Sequence, residues 1–325
     1  MNLTATQEER AIRLHERALV WDSHCDTLMD IAAGKRTLGE RSSSGHLDLP
    51  RLGVGGVNVQ IFAIYIDSVP YLRRTLEFIS AFYREAANNS DRIALATSIA
   101  EIEDIVSRGK IAALLSIEGG EALEGAPAIL PCLYRLGVRA LGLTWNHRNQ
   151  LADGVEEART GGGLTTLGVE TVAQMNRLGM VIDVSHLAPA GFWDVLKHSR
   201  QPVIASHSNA RGLYDHPRNL DDDQIKALAN RGGVMGINFA PHFLGPVGDL
   251  EAVLNHIDYI ANLAGIDCIG LGSDYDGIAS TPAGLEDVSQ MPNITRGLVA
   301  RGYSDTEIEK ILGKNFARVF AQVMG

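Results

Sequence analysis

Eight short apolar runs rich in β-branched residues, each followed by a polar or glycine-containing stretch and then a helix-like segment, constrain this chain more than any other feature. They occupy residues 18–26, 57–66, 111–118, 138–145, 181–186, 202–207, 233–239 and 268–274. Several lack period-two alternation, as expected of parallel strands buried on both faces. Helices are expected at 71–87, 98–107, 126–136, 166–178, 189–198, 221–230 and 250–263. A last one opens on a capping box of Ser304 and Glu307 and runs to residue 323.

Eight alternations in 325 residues predict a closed (β/α)8 TIM barrel forming a single catalytic domain over 1–325. A barrel of about 250 residues leaves room for an N-terminal helix, a C-terminal helix and loop insertions. An open doubly wound sheet is the alternative, but no GxGxxG or GxxxxGK[ST] follows any strand. The tracts Ser42-Ser43-Ser44 and Gly161-Gly162-Gly163 are short enough to be loops. The second follows strand 4, on the side where barrel enzymes carry lids.

Charge and composition narrow the partners. The 29 basic against 39 acidic residues give a formal charge of −10, with no basic cluster, which argues against nucleic acid. No run approaches the roughly 18–20 apolar residues of a membrane span, and no export leader is evident, so a cytoplasmic location without membrane attachment is expected. Cys25, Cys132 and Cys268 are odd in number and lack CxxC spacing, which fits a reducing compartment and neither a disulfide framework nor a cysteine zinc site.

The C-terminal strand ends of a barrel converge on one mouth. Here they carry His24-Cys25-Asp26, Glu118, His186, His207 and Asp274, three imidazoles and three carboxylates suited to zinc or a similar divalent ion. Alternation along a strand puts His24 and Asp26 on one side and Cys25 on the other, toward the helices. Six donors exceed the four of a structural zinc site. Two metals sharing one carboxylate would use them all and would hold a bridging hydroxide, which predicts a metal-dependent hydrolase of the amidohydrolase type.

Together with SIEGG at 116–120, VSH at 184–186, SHSNARGLYDHPRN at 206–219 and GLGSDYDG at 270–277, these residues resemble the membrane (renal) dipeptidase family over nearly the whole chain, from about 19 to 320. The resemblance implies a (β/α)8 barrel with two zinc ions that cleaves dipeptides with a free carboxyl end, often tolerating a D-residue there, and commonly a homodimer. Carried over, it implies that His24, Asp26 and Asp274 bind one zinc, that His186 and His207 bind the other, and that Glu118 bridges them. Asp274 would also be the acid/base, taking a proton from the bridging water and passing it to the leaving amine. Arg218, eleven residues after His207, would grip the substrate carboxylate, for which a planar guanidinium is suited. Asp276 is read as loop or outer support, and Arg211 lacks the motif match.

One position departs from the family's animal members, where a histidine holding the oxyanion follows the Leu-Thr that ends strand 4. This sequence reads Leu143-Thr144-Trp145-Asn146-His147, so Trp145 takes that place and bears on substrate range. His147 shares its face if the extended conformation persists, and would reach the reacting carbonyl. A loop imidazole, or a contact to the substrate's amino end, is the alternative. His15, His46, His198, His216, His242 and His256 lack ligand partners, with His242 the best placed to line the pocket. Competing readings are a related hydrolase acting on a lactone, cyclic amide or phosphoester, which would not need Arg218, and a non-catalytic binding barrel, which would not need a complete donor set.

Overall fold

A computed structural model describes residues 3–325. Nine parallel strands appear in chain order: β1 Trp21–Cys25, β2 Val59–Tyr65, β3 Ile93–Leu95, β4 Ile111–Glu118, β5 Val138–Gly142, β6 Val181–Asp183, β7 Ile204–Ala205, β8 Val234–Ile237 and β9 Ile269–Leu271. Eight close a ring in the order β1-β2-β4-β5-β6-β7-β8-β9, with β9 pairing back to β1. These are the eight runs of the sequence, and the ring is the (β/α)8 barrel. The extra strand, β3, pairs with the first residues of β4, while β5 takes the later ones. Its run, Ile93–Leu95, is too short to register in a periodicity count.

Alternation along each strand separates two cores. Val59, Ile61, Ala112, Leu114, Ala140, Val181, Ile204 and Val234 share one buried cluster with Phe316, Val319, Phe320 and Val323. Their strand neighbours Phe62, Leu115, Ile117, Leu141, Ile182 and Met235 belong to the other, against the helical layer. The first cluster shows the helix Asn315–Met324 closing the end of the barrel where the strands begin, with Trp21 against Phe316 and Phe320 at centroid distances of 6.3 and 5.0 Å. Gly270 makes room for this plug, since a Cβ there would lie 2.3 Å from Phe316 Cε2. The expected final helix is therefore interrupted: Asp305–Glu309 passes through a π-helical turn, Lys310–Lys314, before the plug begins.

Six of the expected helices reappear almost unchanged, at Tyr71–Asn88, Ile99–Ser107, Thr166–Leu178, Pro189–His198, Asp222–Asn230 and Leu250–Ala264. The expected helix at 126–136 shortens to Leu130–Arg135 after a 3-10 turn, because Pro127 and Pro131 confine regular helix to the later residues. The N-terminal helix, Ala5–Arg17, is capped by Thr4 and Gln7 and lies against the helix Pro292–Ala300. Among the described residues no helix is long and apolar enough to cross a membrane.

His256 ties the helix Leu250–Ala264 to the loops at the strand ends. Its Nδ1 accepts from the amide of Ala210 (3.1 Å) and its Nε2 lies 3.2 Å from the carbonyl of Leu244, an arrangement that requires the neutral ring. Burial lowers its pKa to about 4. The unfolded chain takes up this proton near pH 6.5 and the folded one only near 4, so the stabilisation is complete above 6.5 and is lost as pH falls through that window. On the order of 3 kcal/mol should go between pH 7 and 4. Urea unfolding across that range, compared with His256→Asn, whose side-chain oxygen can still accept from Ala210, should show the variant losing less stability on acidification.

Candidate active site

A bulge in β1 makes the site possible. Asp22 pairs with Gln60 and Cys25 with Phe62, so β1 spends three residues where β2 spends two. Without that extra residue Trp21 and Cys25 would share a face. With it Trp21 lies in the inner cluster, Cys25 in the outer one, and His24 turns inward beside Asp26. Cys25 is thus packing, as its position opposite His24 and Asp26 predicted.

Glu118, the last residue of β4, stands at the centre. Its Oε2 lies 3.5 Å from His24 Nε2, and its Oε1 lies 2.8 Å from His186 Nε2 and 3.4 Å from His207 Nε2. His24 Nε2 is also 3.3 Å from Asp26 and 3.9 Å from Asp274. All six predicted donors therefore come together, in overlapping triads His24–Asp26–Glu118, Glu118–His186–His207 and His24–His207–Asp274, every member buried. His186 and Asp274 lie beyond the paired ends of β6 and β9 and adopt left-handed φ angles of 65° and 62°. Non-glycine residues held there cost about 1–3 kcal/mol each, strain that gathers at functional sites. Gly277 lets the backbone close on the carboxylates, since a Cβ would stand 2.1 Å from Asp26 Oδ2 and 2.5 Å from Asp274 Oδ1.

The donor chemistry fits divalent ions. The Ser206 hydroxyl donates to the Asp183 carboxylate, so toward His207 Nδ1, 2.7 Å away, it presents a lone pair. His207 then carries its proton on Nδ1 and aims a bare Nε2 at Glu118 and at His186 Nε2, 2.8 Å distant. Burial, with the charge of His24 for His207 and of Arg218 for His186, keeps both rings neutral, His207 well below its usual pKa and His186 at about 3. His24 Nε2 and Asp26 Oδ1 are buried without a hydrogen-bond partner. Lone pairs converging on one another with orphaned polar atoms beside them call for cations.

Electrostatics separates the carboxylates. Burial opposes ionisation of Glu118, but His24 outweighs it and holds Glu118 well below the usual range. Burial equally opposes charge on His24, yet Glu118 and Asp26 raise it well above its ordinary value. Asp274 is pushed up to about 7 by burial and by its neighbours Asp26 and Glu118, although His24 counteracts them. The amide of Asn238 donates to its Oδ2 (2.8 Å).

Above this floor lies a cavity of about 290 Å³, lined by the carboxylates and His186 together with Arg218, Trp145, Tyr65, Met29, His242 and Phe243. Arg218 is 4% exposed. One of its nitrogens donates to the His207 carbonyl (3.0 Å), while its Nε has no partner. Trp145 stacks beside Tyr65 and His186 at 5.0 and 5.9 Å. His242 reaches the rim, as its sequence position suggested.

His147 is not brought in. The chain leaves β5 at Gly142 and turns, so the extended alternation that would have aimed His147 inward ends before reaching it. Its side chain is 64% exposed and pairs with Glu156 at 3.2 Å. Asp276 supports the loop, accepting from Arg36, Thr27 and the His46 amide. Sequence reasoning missed Asn146, Ser206 and Asn238, which hydrogen-bond to predicted donors, Asp183, which holds Ser206, and Tyr65, the register partner of Glu118. Parity at the end of β2 would have found Tyr65; the others sit beside expected ligands but carry no signal of their own.

A closed parallel barrel with such a mouth is the architecture of a metal-dependent hydrolase. The chain belongs to the membrane dipeptidase family (peptidase family M19), which it matches over residues 8–324. It is 34% identical over 294 residues to the dipeptidase verJ of Clonostachys rogersoniana, covering 86% of this chain and 76% of that protein. It is 36% identical over 297 residues to the dipeptidase aclJ of Aspergillus oryzae, covering 86% and 70%. Among solved structures, a metallopeptidase from Rhodobacter sphaeroides bound to a phosphinate mimic of the dipeptide L-Ala-D-Ala superposes with a TM-score of 0.87 at 28% identity, covering 94% of this chain and 99% of that one. The protein is thus a hydrolase of the metallo-dipeptidase family.

Metal analysis checks the donor set. Elemental analysis of purified protein should find about two divalent ions per chain, falling to about one in His186→Ala and near none in Glu118→Ala, because the two oxygens of Glu118 face both histidine groups.

Proposed function

We propose that this chain is a zinc-dependent dipeptidase that cleaves dipeptides with a free C-terminal carboxylate, of L,L and L,D configuration, and that the whole chain acts as one catalytic barrel. The observation that carries the reading is Arg218, a buried guanidinium with an uncommitted Nε in the same cavity as the six donors. A buried cation with a free N–H needs an anion, and the one a dipeptide offers beside its scissile bond is its own carboxylate. Such an anchor rejects amides and esters by leaving the guanidinium unpaired. The Rhodobacter sphaeroides relative supports including L,D dipeptides through the dipeptide its ligand mimics.

His24, Asp26 and Asp274 would hold one ion and His186 and His207 the other, with Glu118 shared. Bound there, two zinc ions supply acidified water and polarisation of the scissile carbonyl. The protein's own part is proton movement and orientation. Asp274 takes the proton from the attacking water and returns it to the leaving amine, with its second oxygen steadied by Asn238. Trp145, with Tyr65, forms an aromatic wall that limits the side chains admitted. The three free cysteines accord with action in the cytoplasm, and a homodimer is the assembly we expect.

Initial rates on L-Ala-L-Ala and L-Ala-D-Ala, each beside its C-terminal amide, test the reading. Free acids should be cleaved and amides not. Arg218→Ala should lower kcat/KM for the acids by about 30-fold to several thousand-fold, since stranding a buried charge pair costs about 2–5 kcal/mol. An Arg218→Ala variant that cleaves the free acids as fast as wild type would remove Arg218 as the clamp. Asp274→Asn should lower kcat by about 10²- to 10⁴-fold in a folded protein. Turnover near wild type would overturn the acid/base role.

A further inference from the structure

His186 and His207 converge on the same oxygen of Glu118 but are held from behind in different ways. His207 rests on Ser206 and the Asp183 carboxylate, all buried. His186 rests on Asn146, whose Oδ1 lies 2.6 Å from its Nδ1. The other end of that amide, Nδ2, donates to Glu156 Oε1 at 3.3 Å. Glu156 stands on the loop after β5, with its side chain 52% exposed and its other carboxylate oxygen facing His147.

The order of donors along this line settles the chemistry of His186. An ionised carboxylate only accepts, so Glu156 draws the NH2 end of Asn146 toward itself and turns the amide oxygen toward His186. An oxygen at 2.6 Å from Nδ1 requires a proton on that nitrogen. The lone pair is then left on Nε2, the atom 2.8 Å from both Glu118 and His207 Nε2. With the amide reversed, Nδ1 would face a donor, the proton would move to Nε2, and the ring could no longer serve as a ligand there.

The backbone reinforces the link. Glu156 N donates to Asn146 O and Val155 N to His186 O, both at 2.9 Å. Gly154 allows this approach, since a Cβ there would stand 2.2 Å from the Trp145 carbonyl.

We propose that Asn146 and Glu156 are positioning residues that fix the tautomer and aim of His186, and so couple the exposed loop after β5 to retention of the metal ion held by His186, His207 and Glu118. The proposal rests on the ligand assignment made under Proposed function. Orienting groups of this kind commonly change metal affinity 10- to 100-fold.

The test is zinc affinity by competition with a chromophoric chelator, reading the two equivalents separately, alongside kcat and KM. Glu156→Ala and Asn146→Ala should each weaken one of the two equivalents by about 10-fold or more. The double variant Asn146→Asp with Glu156→Gln restores the order of acceptor toward His186 and donor toward Asn146's replacement, and should bind zinc as the wild type does. A role confined to holding the loop would lower the thermal stability of the single variants and leave both zinc equivalents as tight as in the wild type. His186→Ala identifies the affected equivalent. If it retains both ions, the ligand assignment itself fails. If it loses one while Glu156→Ala and Asn146→Ala bind both as tightly as wild type, or if the exchange gives no rescue, the positioning proposal is overturned and the assignment stands.

Discussion

Glu118 is the constraint around which the mouth of the barrel is organised. It is a buried carboxylate whose two oxygens face different histidines, His24 on one side and His186 with His207 on the other. A buried charge of this kind is tolerable only when opposite charge or hydrogen bonds surround it. Three of the surrounding groups are in turn fixed from behind: His207 by Ser206 and Asp183, His186 by Asn146, Asp274 by Asn238. Loss of Glu118 would therefore unbalance both halves of the donor set at once.

The fold spends its irregularities at this end. The strand starts are packed with alternating apolar side chains and closed by the helix Asn315–Met324, a core that ordinary hydrophobic burial holds together. At the other end lie the bulge in β1, the left-handed residues His186, Asp274 and Asp276, and the glycine that lets the chain lie against Asp26 and Asp274. One end supplies stability that the other uses to hold unfavourable geometry.

Much of this was legible beforehand. The eight ring strands were visible because parallel strands buried on both faces read as continuous apolar runs. The six donors were visible because they stand at the ends of those runs. The extra strand Ile93–Leu95 and the π-helical turn were not, since neither has a period long enough to detect. His147 was misplaced because alternation was extended past Gly142, where the ladder stops and a turn sets the side-chain directions.

By itself the amino-acid order determined the eight strands of the ring, the barrel they close into, the residue types gathered at its mouth and the resemblance that ties them to dipeptide hydrolysis. These depend on local periodicity and on which residue types follow each strand, properties carried within short windows of the chain. Only the tertiary structure decided which oxygen of Glu118 meets which imidazole, how the β1 bulge turns His24 inward, and that Asn146 and Glu156 stand behind His186. Those relations join residues from different strand ends, so they are set by ring closure and loop course, to which no local pattern in the sequence has access.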